Sequence, residues 1–164
     1  MKAFLSLLIL ILLLPAASLA DASIRADRVL VKKSERALYL IKDGIPYQKF
    51  NIALGPRPRG HKQASGDERT PEGSYVLDFK NADSKFYKSI RISYPNAEDS
   101  MRAALNDVDP GGFIMIHGLP NDSTLPASIV QQFNWTDGCI AVTNQEMDKI
   151  WLAVELGTPI DILP

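Results

Sequence analysis

Short apolar segments separated by tight turns are the feature that most constrains the fold of this chain. Residues 37–41 alternate, with Leu38 and Leu40 on one face and Tyr39 and Ile41 on the other. Asp43-Gly44 then forms a two-residue turn signal, and an apolar segment returns over residues 47–54. Similar short segments span residues 28–31, 74–79, 88–94 and 159–163 and the run that begins at Phe113. This pattern predicts an antiparallel β meander.

Two stretches carry helix signals instead. Asn96 can cap a short helix over residues 97–105. Thr143 and Glu146 form a capping box, which predicts the start of a second helix, and Gly157 is the expected residue just after its end. That helix has one apolar stripe, made of Met147, Ile150, Trp151 and Val154. We therefore expect a mostly β, β-rich α+β domain with one or two short helices.

The N-terminus reads as a secretory signal peptide over residues 1–20. Lys2 precedes an apolar core at residues 3–14, and Ser18-Leu19-Ala20 is a typical cleavage site. A membrane anchor is the alternative, but twelve apolar residues are too few to span about 30 Å of hydrocarbon. We expect one exported domain at residues 21–164, with no stable membrane insertion after cleavage.

Charge and cysteine content narrow the function further. The 18 basic and 19 acidic residues nearly balance, which argues against a nucleic-acid partner. Cys139 is the only cysteine, so an exported form has no internal disulfide. Its thiol is then paired with another molecule, kept free for chemistry, or buried as a small apolar group.

The sequence around Cys139 favours chemistry. Thr136-Asp137-Gly138 is a turn signal that presents the cysteine, and His117 ends an apolar run about twenty residues earlier. A nucleophilic cysteine needs a base to form thiolate, and a third group to fix the tautomer of that base. We therefore predict Cys139 as the nucleophile of an acyl-transfer enzyme and His117 as its base.

Residues 55–73 have a different composition, rich in proline and glycine, and predict a long irregular loop. Arg57, Arg59, Lys62 and Arg69 make this loop basic, which fits either a solvated surface or a carboxylate clamp. His61 with Asp67, or His61 with His117 and Cys139, could hold zinc instead. We expect neither metal nor cofactor.

Several motifs resemble the L,D-transpeptidase catalytic (YkuD) domain. His117-Gly118 resembles its His-Gly pair, and Thr136 to Ile140 with Asn144 resembles its Ser/Thr-His-Gly-Cys signature and the asparagine beyond it. Thr70-Pro71-x-Gly73 resembles a further element that precedes a strand. The resemblance covers about residues 27 to 164.

The resemblance implies an L,D-transpeptidase-like β-sandwich in the periplasm or cell wall, with peptidoglycan stem peptides as its partner. Cys139 would attack the bond between the third stem residue and D-Ala, forming a thioester, and His117 would be the base. The Gly118 carbonyl would orient the His117 ring. The N–H groups of Gly138 and Cys139 would bind the oxyanion.

Two residues depart from that signature. Asp137 replaces its histidine, and Ala141 replaces the arginine two positions after the cysteine. We therefore expect Arg69, with Arg59 second, to hold a substrate carboxylate, and Thr136 and Asp137 to line the substrate site. A same-fold amidase or hydrolase, a silent wall-binding module and a zinc peptidase remain alternatives.

Overall fold

A computed structural model describes residues 24–164, so the predicted signal peptide at residues 1–20 lies outside the described residues. The described part contains eight strands and three helices. In chain order these are β1 (Arg28–Lys32), β2 (Ala37–Lys42), β3 (Ile45–Asn51), β4 (Gly73–Ser84), β5 (Tyr87–Ile92), α1 (Ala97–Leu105), β6 (Met115–His117), α2 (Ala127–Val130), β7 (Ile140–Ala141), α3 (Asn144–Ala153) and β8 (Pro159–Leu163). The predicted mostly β class is confirmed.

The eight strands form one sheet in the order β3-β2-β1-β8-β4-β5-β6-β7. The meander prediction is correct for β1 to β3 and for β4 to β6, which pair antiparallel. It misses two parallel pairs, β1 with β8 and β6 with β7. Both unite segments far apart in sequence, which turn signals cannot reveal.

The sheet is divided at β4 and closed at its ends. Residues 73–76 of β4 pair with β8, whereas its part from Leu77 onward pairs with β5, with a register irregularity between Leu77 and Phe79. At the two outer edges, Ala53 and Ala141 exchange two backbone hydrogen bonds of 2.9 Å each. The two halves thereby enclose one hydrophobic core, to which both contribute buried side chains.

Strand β3 begins two residues before the predicted return strand and ends three residues before it. Pro46 lies inside β3, which a proline tolerates because β3 is at the edge of the ladder. Residues 52–54, which were predicted to continue this strand, do not pair with β2. Ala53 pairs with Ala141 of β7 instead. The turn at Asp43-Gly44 has φ of 52° and 77°, as a type I′ turn requires.

The helices follow their local signals except at one end. Both predicted caps are present as full capping boxes, on Asn96 for α1 and on Thr143 for α3. The prediction of Gly157 as the C′ residue is wrong, because α3 already ends at Ala153 when buried Val154 turns extended. Helix α2 was not predicted, since it has no buried face and no side-chain cap. None of the described helices is long and apolar enough to cross a bilayer.

Candidate active site

Two neighbouring strands bring Cys139 and His117 to one face of the sheet. The parallel register of β6 and β7 pairs Ile116 with Ile140, which places Cys139 beside Met115. The Met115 N–H donates to Cys139 Sγ at 3.4 Å, which confirms this proximity. Because successive side chains alternate, Ile116 and Ile140 are buried in the core while His117 and Cys139 share the opposite face.

The turn before Cys139 is fixed by its neighbours. The Thr136 hydroxyl donates to the Cys139 carbonyl at 2.7 Å, and the Thr136 N–H donates to the Leu54 carbonyl at 3.3 Å. Gly138 has φ of 109°, and a Cβ there would lie 2.5 Å from the Arg69 carbonyl oxygen. Only glycine therefore fits at this position without displacing the backbone of residue 69.

The surroundings of Cys139 favour the protonated thiol. Burial raises the pKa of the thiol, and the Asp137 carboxylate raises it further, against the lowering effects of the Met115 N–H and of the Lys62 ammonium. The thiol donates to the Phe113 carbonyl at 3.6 Å. Phe113 itself has φ of 55°, an uncommon conformation for a residue with a side chain.

The His117 ring is buried and held by its own neighbour. Its Nδ1 lies 2.7 Å from the Gly118 carbonyl oxygen, and because a carbonyl only accepts, Nδ1 must carry the proton. Burial lowers the pKa of His117, opposed by this bond to Gly118. The ring packs on Phe86 and Trp135, with centroids 4.6 and 5.5 Å away.

Nε2 of His117 is consequently the unprotonated nitrogen, the form that a general base requires. In residues 24–164, no hydrogen bond joins His117 to Cys139. The directions of both pKa shifts favour a neutral thiol beside a neutral imidazole.

Asn144 fastens the segment that carries Gly118. Its Oδ1 accepts from the Leu119 N–H at 2.8 Å, and a Cβ on Gly118 would lie only 2.6 Å from that oxygen. The Gly118 N–H donates to the Phe86 carbonyl at 3.0 Å. The first residue of α3 thereby fixes the carbonyl that holds His117.

Residues 26–162 match the sequence model of the L,D-transpeptidase catalytic domain, YkuD. The chain belongs to the L,D-transpeptidase catalytic-domain family. The resemblance read from the sequence motifs is confirmed, and this family acts on peptidoglycan.

Individual relatives agree with this family. A curated Escherichia coli (strain K12) relative named as an L,D-transpeptidase, YafK, is 35% identical over 130 residues, which are 73% of this chain and 43% of the relative. The helical cell shape determining protein Pgp2 of Campylobacter jejuni is 26% identical, with a TM-score of 0.61 over 82% of this chain and 46% of Pgp2. The chain thus spans less than half the length of these relatives.

More distant structures show the fold alone. Bd1075 of Bdellovibrio bacteriovorus is 24% identical, with a TM-score of 0.58 over 87% of this chain and 49% of Bd1075. An L,D-transpeptidase of Xylanimonas cellulosilytica is 16% identical, with a TM-score of 0.54 over 85% of this chain and 61% of that structure.

The departure at position 141 has a structural setting. Ala141 lies opposite His117 in the register of β6 and β7, and its backbone also pairs with Ala53. Ala141 is fully buried, and because it is an alanine, this L,D-transpeptidase-family domain has no cation where the family signature has arginine. Asp137, at the other departure, is exposed. It borders a groove of about 430 Å³ that Lys62 also lines.

The predicted clamp residues occupy other surroundings. The backbone of Arg69 contacts Gly138, but a Cβ on Gly60 would lie 3.3 Å from Arg69 Nη1, so the guanidinium points to Gly60. Arg59 is exposed beside a separate cavity of about 440 Å³. A clamp formed by either residue stays a prediction.

Among the cations of the loop at residues 55–73, Lys62 is the one whose charge lowers the pKa of the Cys139 thiol. The sequence alone did not distinguish it from its neighbours. Its ammonium is buried and pairs with Asp67 Oδ1 at 2.8 Å. Asp67 also accepts the N–H groups of Gln63, Ala64 and Arg69, which holds the loop in one conformation.

The residues proposed for zinc are committed to other contacts. His61 Nε2 lies 3.0 Å from Asp99 and 2.7 Å from Arg102, and His61 Nδ1 lies against the backbone of Glu72. Asp67 is the partner of Lys62. Over residues 24–164, no group of three or more His, Cys, Asp or Glu side chains is positioned to hold a metal ion.

Proposed function

We propose that this domain is a thiol-dependent acyltransferase that acts on peptidoglycan stem peptides in the periplasm or cell wall. The observation that carries the proposal is the placement of Cys139 and His117 on one face of β6 and β7 in a member of this family. The Cys139 sulfur attacks the carbonyl of the third stem residue. The bond to D-Ala breaks, and a thioester remains on the protein.

The proton follows a defined path in this proposal. His117 Nε2 takes it from the thiol as the sulfur attacks and returns it to the leaving amine of D-Ala. Two features support this role: the Gly118 carbonyl holds the proton on Nδ1, and burial keeps the ring neutral. A ring that was already charged at neutral pH could not accept the thiol proton.

The tetrahedral intermediate needs donors for its oxyanion. We assign this role to the backbone N–H groups of Gly138 and Cys139, in the turn that Thr136 and the backbone of Arg69 fix. Donors already held in position require no reorganisation during the reaction, which is why a rigid turn suits this role. Exposed Asp137 completes the proposed substrate side of the turn, whereas buried Thr136 acts through the backbone of Cys139.

A hydrolase of the same fold is the second candidate. The exposed carboxylate of Asp137 lies two residues before the nucleophile, where the family signature has histidine. A carboxylate there can accept a proton from water, and water would then resolve the thioester in place of an amine. The products separate the two candidates: an amine acceptor gives a cross-linked peptide, and water gives a free tripeptide stem.

The test is incubation of tetrapeptide stems and of isolated sacculi with the wild type and with Cys139→Ala. Mass spectrometry of the wild type should detect the acyl-enzyme and released D-Ala. Cys139→Ala should show neither but remain folded, because one sulfur contributes at most about 1–2 kcal/mol of packing. Turnover that persists in Cys139→Ala, or that a metal chelator abolishes, would contradict the thiol mechanism.

A further inference from the structure

A row of side chains crosses the sheet and ends at the nucleophile. The antiparallel register places Phe79 of β4 opposite Arg91 of β5, and Arg91 opposite Met115 of β6. Met115 in turn lies beside Cys139. Residues opposite one another in register share a face, so these four side chains lie on the face that also carries His117.

The spacing of strands gives the scale of this row. Adjacent strands lie about 4.8 Å apart, so the backbone of Arg91 is about 10 Å from that of Cys139. An extended chain covers that distance in about three residues. A peptide whose carbonyl lies at Cys139 can therefore present a side chain or terminus of a nearby residue to Arg91.

The Arg91 guanidinium is oriented by Asp78 and still has hydrogens available for a second acceptor. Its Nε and Nη2 donate to the two Asp78 oxygens at 2.8 and 3.2 Å, and its Cζ lies 5.6 Å from the centre of the Phe79 ring. In the described part of the chain these are its only hydrogen bonds, so Nη1 still offers two hydrogens. The Phe79 ring is 49% exposed and could support the carbon chain of a ligand.

A groove connects Arg91 with the nucleophile segment. Its volume is about 320 Å³, and Arg91, Tyr94, Gly112 and Phe113 are among the residues that line it. The Cys139 thiol donates to the carbonyl of Phe113 at 3.6 Å, so one residue that lines the groove also contacts the nucleophile. The side chain of Phe113 is 79% exposed, which gives this end of the groove an apolar wall.

We propose that Arg91 binds a carboxylate of the stem peptide whose carbonyl Cys139 attacks. The inference rests on the proposed function and assigns to Arg91 the charge recognition that Ala141 cannot provide. Two observations favour Arg91 over Arg69: its register with Met115, which puts its side chain on the face that carries Cys139, and the groove that it lines together with Phe113. A guanidinium suits a carboxylate because both groups are planar and bond through two parallel contacts.

The experiment compares two tetrapeptide stems, one with its free side-chain carboxylate at the third residue and one with that group amidated. We would measure kcat/KM for both with the wild type, Arg91→Gln and Arg91→Lys. Arg91→Gln should lose about 10- to 100-fold on the free acid and change little on the amide. Arg91→Lys should recover only part of the loss, because an ammonium lacks the planar fork.

Arg28→Gln is the matched control. Arg28 also pairs with an aspartate across neighbouring strands, Asp161, but on β1, in the other half of the sheet. An exposed ion pair of this kind contributes little to stability, so Arg28→Gln should keep the wild-type preference for the free acid. Thermal unfolding of each variant would show that the fold is intact.

The outcomes separate this inference from the proposed function. A wild type that releases no D-Ala and forms no acyl-enzyme would overturn both. An active wild type whose preference between the two stems is unchanged in Arg91→Gln would overturn the role of Arg91 alone. The same loss in Arg28→Gln would also overturn it, since the effect would then come from net charge.

Discussion

Replacing Asn144 tests how the fold positions the proposed base. In Asn144→Ala the Leu119 N–H loses its acceptor, and because Leu119 is only 7% exposed, water cannot replace it well. An unpaired buried amide costs about 1–3 kcal/mol, a large part of a typical stability of about 5–15 kcal/mol. The Gly118 carbonyl should also become less fixed, which we expect to lower kcat/KM about tenfold through misplacement of His117.

Asn144→Asp is the matched variant, because it keeps an acceptor oxygen for the Leu119 N–H. A negative charge in the first turn of α3 is also favourable. Urea unfolding should therefore give a lower midpoint for Asn144→Ala, with unchanged slope, and a near wild-type midpoint for Asn144→Asp. The acidic limb of the kcat/KM profile should shift in Asn144→Ala alone. Equal losses in both variants, or none in either, would refute this account of Asn144.

Three further predictions follow from the same geometry. Alkylation of Cys139 by iodoacetamide should be slow at neutral pH and accelerate above about 8.5, because burial raises the pKa of the thiol; fast alkylation at pH 6 would instead indicate a resting ion pair. Because the pKa of His117 is lowered in the folded state, the unfolded chain binds a proton at a higher pH than the folded one does. The free energy of unfolding should therefore be at its full value above about pH 6.5 and fall as the pH drops below it. His117→Gln should remove this pH dependence of the urea midpoint. Gly138→Ala should be inactive and lose more stability than Gly44→Ala, because both have positive φ but only the Cβ at 138 meets a backbone oxygen; equal losses would show that the close approach to Arg69 is unimportant.

The features that sequence predicted well depend on nearby residues. The caps at Asn96 and Thr143 act within one helical turn, and the Asp43-Gly44 turn needs only two residues of positive φ. The parallel partners of β1 and β6 depend on contacts between distant segments, which no local pattern encodes. Helix α2 was missed for a related reason, since a single turn with no buried face leaves no periodic signal.

The candidate site also combines features that the sequence revealed with features that only the structure shows. The motif around Cys139 pointed to a nucleophile, but only the register of β6 and β7 shows that its side chain shares a face with His117. In the sequence Arg91 alternates with Ile90 and Ile92, which indicates an outward-facing side chain, but its alignment with Met115 is visible only from the pairing of β5 and β6. The burial of Lys62 likewise depends on Asp67 and on the loop conformation. The sequence alone therefore could not show which cation of the loop lies near the thiol.

The mutual bonds of Ala53 and Ala141 tie the dynamics of the nucleophile to those of the whole domain. Each amide can exchange its hydrogen with solvent only when the two outer edges of the sheet separate. Thr136 fixes the turn before Cys139, and its N–H donates to the carbonyl of Leu54, next to Ala53. The turn should therefore open together with the pairing of Ala53 and Ala141. We therefore expect these amides to exchange as one cooperative unit, close to the free energy of global unfolding. Heating should then abolish secondary structure and catalysis over a single transition.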